Sequence, residues 1–270
     1  MARHELTDKQ WERLQPFLPP QKPHTGRPNK EHRIIINALL WLLRTGAPWR
    51  DLPERYGPWK TVASRFYRWQ RAEVWQHILR CLQQTADAKG QLDWNLHYVD
   101  GTIIRAHQHA AGARRPKDPV HPDEALGRSQ GGFSTKIHLR AEGGGKPMTF
   151  LITAGQRHEQ TMFEALMEGG AVKRAGRGRP RIRPDRVAGD KGYSSKKIRR
   201  YLRKRGIGAV IPRQKRERRT RFDKMAYCRR NRVERLVNRL KGFRRIATRY
   251  EKRAVHYLGM LTIAALLLWL

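Results

Sequence analysis

From Leu96 to Ile104 the chain reads LHYVDGTII, and the fold class turns on this stretch. β-Branched and aromatic residues dominate it, which suits a pleated strand. Downstream, Ser134–Glu142 (STKIHLRAE) alternates, with Thr135, Ile137 and Leu139 on one face and Lys136, His138 and Arg140 on the other. That is the period of a half-buried strand. PMTFLIT, residues 147–153, follows a glycine-rich turn as a third strand. A helix is then expected over EQTMFEALMEGG and a short strand over RVAGD. A helix opened by Ser194 and closed by Gly206 comes next, then a strand over GAVIP and a long basic helix over YCRRNRVERLVNRLK, residues 227–241. Three strands in hairpin-like succession, then strands alternating with helices, predict a mixed α/β domain, its sheet flanked by helices. No internal repeat is visible.

Upstream, residues 1–90 read as helical. KEHRIIINALLWLLRTG is apolar almost all round and stops at Gly46. WRDLPERYG is a short turn-rich element, and PWKTVASRFYRWQR restarts a helix with Pro58 at its entry. On that helix Trp59, Val62, Phe66 and Trp69 share one side, and Lys60, Ser64, Arg68 and Arg71 share the other. A short helix, a tight Gly-Pro turn and a helix with a basic front outline a helix-turn-helix that reads DNA. A solvated helix in a bundle gives the same pattern. The division expected is 1–90, a helical DNA-binding domain, and 91–270, an α/β domain with carboxyl-terminal helices.

The charge agrees. Lys and Arg number 58 against 23 acids, a net charge of +35 on 270 residues, while 39% of the residues are apolar and can form a core. Such an excess is best tolerated beside a polyanion, nucleic acid before an anionic membrane surface. Cys81 and Cys228 are the two cysteines, in no disulfide or zinc pattern. The amino terminus MARHELTDKQ has no cleavable-signal character. YLGMLTIAALLLWL at the carboxyl end is shorter than the roughly 20 residues that span a bilayer, and reads as a buried helix. A cytoplasmic protein is expected, with no membrane partner.

Two segments read as irregular. AAGARRPKDPVHPDEALGRSQGG is long and polar. KRAGRGRPRIRPDR contains an Arg-Gly-Arg-Pro core like that of minor-groove peptides, though a charged loop explains it as well.

Three acids stand out against this basic background. Asp100 is expected just after the strand LHYV and Asp190 just after RVAG, each where an α/β sheet holds ligands. Glu234 lies in the basic helix, where Tyr227, Arg230, Glu234 and Lys241 share a stripe roughly 60° wide. Val233, Leu236, Val237 and Leu240 form the adjoining apolar face. Phosphodiester chemistry gives three carboxylates a purpose. Two divalent ions roughly 4 Å apart activate the attacking oxygen and stabilise the leaving one, and hard Mg2+ or Mn2+ takes carboxylate ligands. The basic residues beside Glu234 would then hold phosphate. His107 and His109 read as polar loop residues, since such ions prefer oxygen.

YVDGTIIRAHQHAAGARR, GDKGYSS and the spacing Tyr227-x2-Arg230-x3-Glu234-x6-Lys241 resemble the signature of DDE transposases of bacterial insertion sequences, specifically the IS5 group of the IS4-like superfamily. GRPNKEHRIIINALLWLLRTGAPWRDLPERYGPW resembles the leading segment of the same family. The resemblance implies a ribonuclease H-like catalytic domain in which Asp100, Asp190 and Glu234 hold two Mg2+ ions, with Mn2+ as an alternative. It implies cleavage at the element's terminal inverted repeats and joining of the 3′-hydroxyl ends to target DNA. Tyr227, Arg230 and Lys241 would grip the terminal phosphates, and a homodimer or larger assembly would form on the DNA. The short stretch between Asp190 and Glu234 leaves no room for the β-rich insertion domain of some relatives. Two other readings are a DNA-binding regulator whose acids are structural, and a nuclease that cuts without joining.

Overall fold

The computed structural model describes residues 4–21, 30–111, 124–174, 176–213 and 222–270. Helix α1 (Asp8–Leu14) opens with a reciprocal capping box between Thr7 and Gln10. Helix α2 (His32–Thr45) buries Ile35, Leu39, Leu42 and Leu43, and stops at Gly46, whose φ of 71° is left-handed. Helices α3 (Trp59–Arg71) and α4 (Val74–Ala88) follow. The turn-rich element before Gly57 forms two 3-10 turns, Trp49–Asp51 and Glu54–Tyr56.

Next come β1 (Leu96–Ala106), α5 (Gln108–Ala111), β2 (Gly127–Ser129), β3 (Gly132–Ala141) and β4 (Pro147–Ala154). After these lie α6 (Phe163–Glu168), β5 (Arg186–Ala188), α7 (Lys196–Lys204) and β6 (Gly208–Val210). The chain finishes with α8 (Lys224–Cys228), α9 (Asn231–Lys241), α10 (Arg244–Ala247), β7 (Thr248–Arg249) and α11 (Ala254–Trp269).

Across the sheet the main strands run β4-β3-β1-β5-β6. β1, β3 and β4 pair antiparallel, and β5 and β6 add parallel to β1. Helices cover both faces, which is the ribonuclease H-like arrangement. Neighbouring residues of β1 look opposite ways: Tyr98 enters a large core with α2, α4, α9 and α11, and Val99 enters a smaller one with Phe163, Tyr193, Ile198 and Leu202. The large core runs from Leu6 to Trp269 without a break at residue 90, so the helical segment is packed onto the sheet. Polar contacts reinforce this packing. Gln83 Nε2 of α4 and Trp269 Nε1 of α11 both donate to the Pro147 carbonyl of β4, at 3.2 and 2.8 Å. The apolar carboxyl-terminal stretch is buried helix, as its sequence suggests. Among the described residues no helix is long and apolar enough to cross a membrane.

Several expectations change. Asp100 lies inside β1, because pairing with β3 continues from Tyr98 through Arg105 and the Asp-Gly pair makes no turn. EQTMFEALMEGG begins as a 3-10 turn, Glu159–Met162, before α6. Ser195, not Ser194, caps α7, its hydroxyl accepting from Ile198 N at 3.2 Å. The basic helix is broken at Arg229–Arg230 into α8 and α9. Of the long polar segment, residues 112–123 lie outside the described residues, and Gly127–Ser129 is strand. Ala175, in the Arg-Gly-Arg-Pro segment, also lies outside them.

Candidate active site

On one edge β1 pairs with β5 only over Leu96–Tyr98 and with β7 only over Arg105–Ala106. Between them this edge has no strand partner among the described residues, and Asp100 falls in the notch. The last registered pair of the parallel ladder is Tyr98 with Ala188, so Asp100 and Asp190 each stand two positions beyond it on adjacent chains. Side chains two apart on a strand share a face. Burial pushes the Asp100 carboxyl up, to about 6. Arg230 and the Gly101 amide oppose the rise, and the charges of Asp190 and Glu159 add to it. Asp190 starts the 3-10 turn Lys191–Tyr193, and its Oδ1 is buried with no hydrogen-bond partner. A buried carboxylate oxygen without a donor is costly, and a cation satisfies it.

Helix α9 packs against β1 and brings Arg230, just before its first residue, into the notch. Arg230 Nη2 donates to Glu234 Oε1 at 2.8 Å, and Nη1 stands 3.6 Å from Asp100 Oδ2. Burial works to lower the Arg230 pKa. Asp100, the Tyr227 hydroxyl and Glu234 outweigh it and hold the group above its ordinary value. Glu234 is more than half exposed at the mouth of the notch, whereas Asp100 and Arg230 are largely covered. Asp100 and Asp190 are therefore neighbours, and Glu234 reaches them through Arg230. Among the described residues no three His, Cys, Asp or Glu side chains converge as a ready metal cage. The donor set nevertheless suits a hard divalent ion: carboxylate oxygens, one of them orphaned and one raised in pKa by burial.

A further acid was not singled out by the sequence. Glu159 Oε1 lies where a Cβ on Gly101 would come within 2.6 Å, and its Oε2 is 3.3 Å from the corresponding position on Gly192. Gln160 Nε2 donates to the Gly192 carbonyl at 2.7 Å and clips the same turn. Glycine at 101 and 192 thus lets the Glu159 carboxylate close over the segments that carry Asp100 and Asp190. Lys136 balances it from 3.6 Å. Tyr193 is fully buried beside this group, with no partner for its hydroxyl. Burial, then Glu159, Asp100 and Asp190, raise its pKa well above normal and keep it protonated. Nothing in the sequence marked Gly101 and Gly192 as positions of close approach or named what approaches them.

Of the remaining candidates, Tyr227 packs its ring 5.4 Å from Phe222, and Lys241 is exposed at the far end of α9, two turns from Glu234. Lys60, Ser64, Arg68 and Arg71 form the exposed face of α3, and Val62, Phe66 and Trp69 are buried. His107 and His109 lie beyond the carboxyl end of β1, their rings 4.5 Å apart, outside the carboxylate group.

Both parts of the chain are similar to known proteins. Residues 97–269 match the family model described as a transposase DDE domain, and residues 6–79 match one described as a putative transposase of the IS4/5 family. An uncharacterised protein, y4sN, of Sinorhizobium fredii is 43% identical over 126 residues, 47% of this chain and 96% of the relative. A putative transposase for insertion sequence element IS402 of Burkholderia cepacia is 33% identical over 140 residues, 52% of this chain and 62% of that protein. Among solved structures, the Mos1 mariner paired-end complex with Mn aligns over 81% of this chain and 80% of that one, with 10% identity and a TM-score of 0.27. At that score the alignment supports nothing further. The DDE-domain match spans well over half of the chain, and the chain belongs to the transposases of that family, with leading helices similar to those of the IS4/5 model.

Proposed function

We propose that the chain binds the terminal inverted repeats of an insertion sequence, cuts at their ends and joins the freed 3′-hydroxyls to target DNA. Asp100, Asp190 and Glu234 would hold two divalent ions, Mg2+ or Mn2+. When bound, such ions activate the attacking oxygen and stabilise the leaving one. The observation that carries the reading is the buried, unpartnered Oδ1 of Asp190 beside an Asp100 whose charge burial disfavours.

In this reading Arg230 is a latch. Its guanidinium neutralises Asp100 and Glu234 until a DNA phosphate, which also accepts both arms of a guanidinium, draws it away and leaves both carboxylates to the ions. Tyr227 orients Arg230, and Lys241 holds a second phosphate two turns along α9. Lys60, Ser64, Arg68 and Arg71 contact the duplex outside the cut. Exchange at two element ends calls for at least two copies of the chain, so a dimer or larger assembly forms on DNA. The test is end cleavage and strand transfer with Mg2+, comparing wild type with Asp100→Asn. The variant should bind the repeats and do neither reaction; equal activity removes the assignment.

A further inference from the structure

Tyr67 sits oddly on α3. It lies seven residues after Lys60, hence on the same exposed stripe as Lys60, Ser64 and Arg71. It is partly exposed, yet its ring also packs 4.5 Å from the His256 ring and 6.0 Å from Trp49. Behind these rings opens a cavity of about 520 Å3. Its far wall is Tyr250, with the His107 ring 5.1 Å away.

Two buried charged groups form the floor. Arg245 Nε donates to Glu251 Oε1 at 2.6 Å, and Arg245 Nη1 donates to the Ala47 carbonyl at 2.7 Å. Glu251 has only 6% of its side chain exposed, and its second oxygen, Oε2, has no hydrogen-bond partner. A carboxylate oxygen held without a donor invites a ligand that brings an N–H. The cavity also has cations at its edge, Lys252 and Arg253. Burial, then the Arg253 charge, lowers the His256 pKa, so its ring is neutral near pH 7 and can stack.

Flat aromatic walls, an acceptor at the floor and cations at the rim fit one chemistry: a nucleobase joined to phosphate. The site is separate from the carboxylate notch. His107 lies seven residues beyond Asp100 along β1, roughly 23 Å for an extended strand. We propose that this cavity accepts one unstacked nucleobase of a DNA strand, with its ring against Tyr67 and His256 and an N–H of its edge on Glu251 Oε2. The strand is favoured over a free nucleotide because Tyr67 shares the stripe with Lys60, Ser64 and Arg71. In that respect the inference rests on α3 being the DNA-facing helix.

A short oligothymidylate carrying one 5-iodouracil, irradiated with the full chain, tests it. Mass spectrometry should map the cross-link to Tyr67, His256 or Tyr250. Excess unlabelled oligothymidylate should abolish the cross-link, and excess thymidine should not. Tyr67→Leu should weaken oligothymidylate binding about tenfold, the effect of one lost stacking platform. Glu251→Gln, with its thermal melting checked for folding, should weaken it too. Cross-links only elsewhere, or unchanged binding in Tyr67→Leu, overturn the proposal, and full competition by thymidine overturns the strand as its source. An Arg68→Ala variant keeps the two readings apart. If it binds duplex normally while the Tyr67 cross-link persists, the α3 reading fails and the pocket stands. If duplex binding drops but no pocket cross-link forms, only the pocket fails.

Discussion

Arg230 donates to Glu234 at 2.8 Å across one turn of α9, so the acid in the basic helix is held by its own neighbour. The same guanidinium faces Asp100 at 3.6 Å. Arg230→Gln should therefore do two things. The Asp100 carboxyl loses the cation that opposes its rise, and its titration, followed by carboxyl carbon NMR in metal-free protein, should move above the present value of about 6. DNA cleavage should fall roughly a hundredfold, as when one preorganised donor is removed. An unmoved Asp100 titration would show that the pair is only a surface contact.

The raised Asp100 pKa makes a pH-dependent statement about stability. Below about pH 4 the group is protonated both folded and unfolded. The unfolded chain ionises near 4, whereas the folded chain holds its proton until about 6. Stability from this group is thus fully present below pH 4 and is lost as pH rises through 6. Relative to wild type, Asp100→Asn should gain roughly 2–3 kcal/mol between pH 4 and pH 7. Urea unfolding of both proteins at the two pH values reads this directly, and a constant difference contradicts it. Mg2+ should narrow the gap at pH 7 by stabilising wild type alone.

Gly101 and Glu159 compete for the same space. Gly101→Ala should cost roughly 1–3 kcal/mol as an overpacking change. Most of that cost should vanish in a Glu159→Ala background, where the obstructing carboxylate is gone. A double-mutant cycle in urea measures the coupling, and additive effects would mean that Glu159 simply swings away.

Arg68 is exposed on α3. Arg68→Ala should weaken binding to the element's end across salt concentrations and reduce the salt slope by about one. A slope identical to wild type would move the DNA contact off this face.

Much of this architecture is written in local pattern. The alternation from Thr135 to Arg140, the β-branched run at Val99–Ile104 and the unbroken apolar stretch into Trp269 each place an element correctly. Asp100, Asp190 and Glu234 could be singled out because each sits among residues of a recognisable spacing. Other features depend on contacts distant in sequence. The break at Arg229–Arg230 occurs where Arg230 turns toward Asp100. Glu159 reaches the site from a 3-10 turn with no periodicity of its own, and Glu251 borders a cavity whose other walls come from α3 and the end of β1. No window of neighbouring residues encodes those meetings.

The shared acceptor at Pro147 has a mechanical meaning. Helix α4, helix α11 and strand β4 are bolted at one carbonyl, and the core around them is continuous from Leu6 to Trp269. The face of α3 and the notch at Asp100 therefore belong to one casting, like the two jaws of a fixed caliper. If α3 holds duplex and the notch cuts it, as proposed, the span between the two points is gauged by side-chain packing in the core, and lengthening the turn after Gly90 would not reset it.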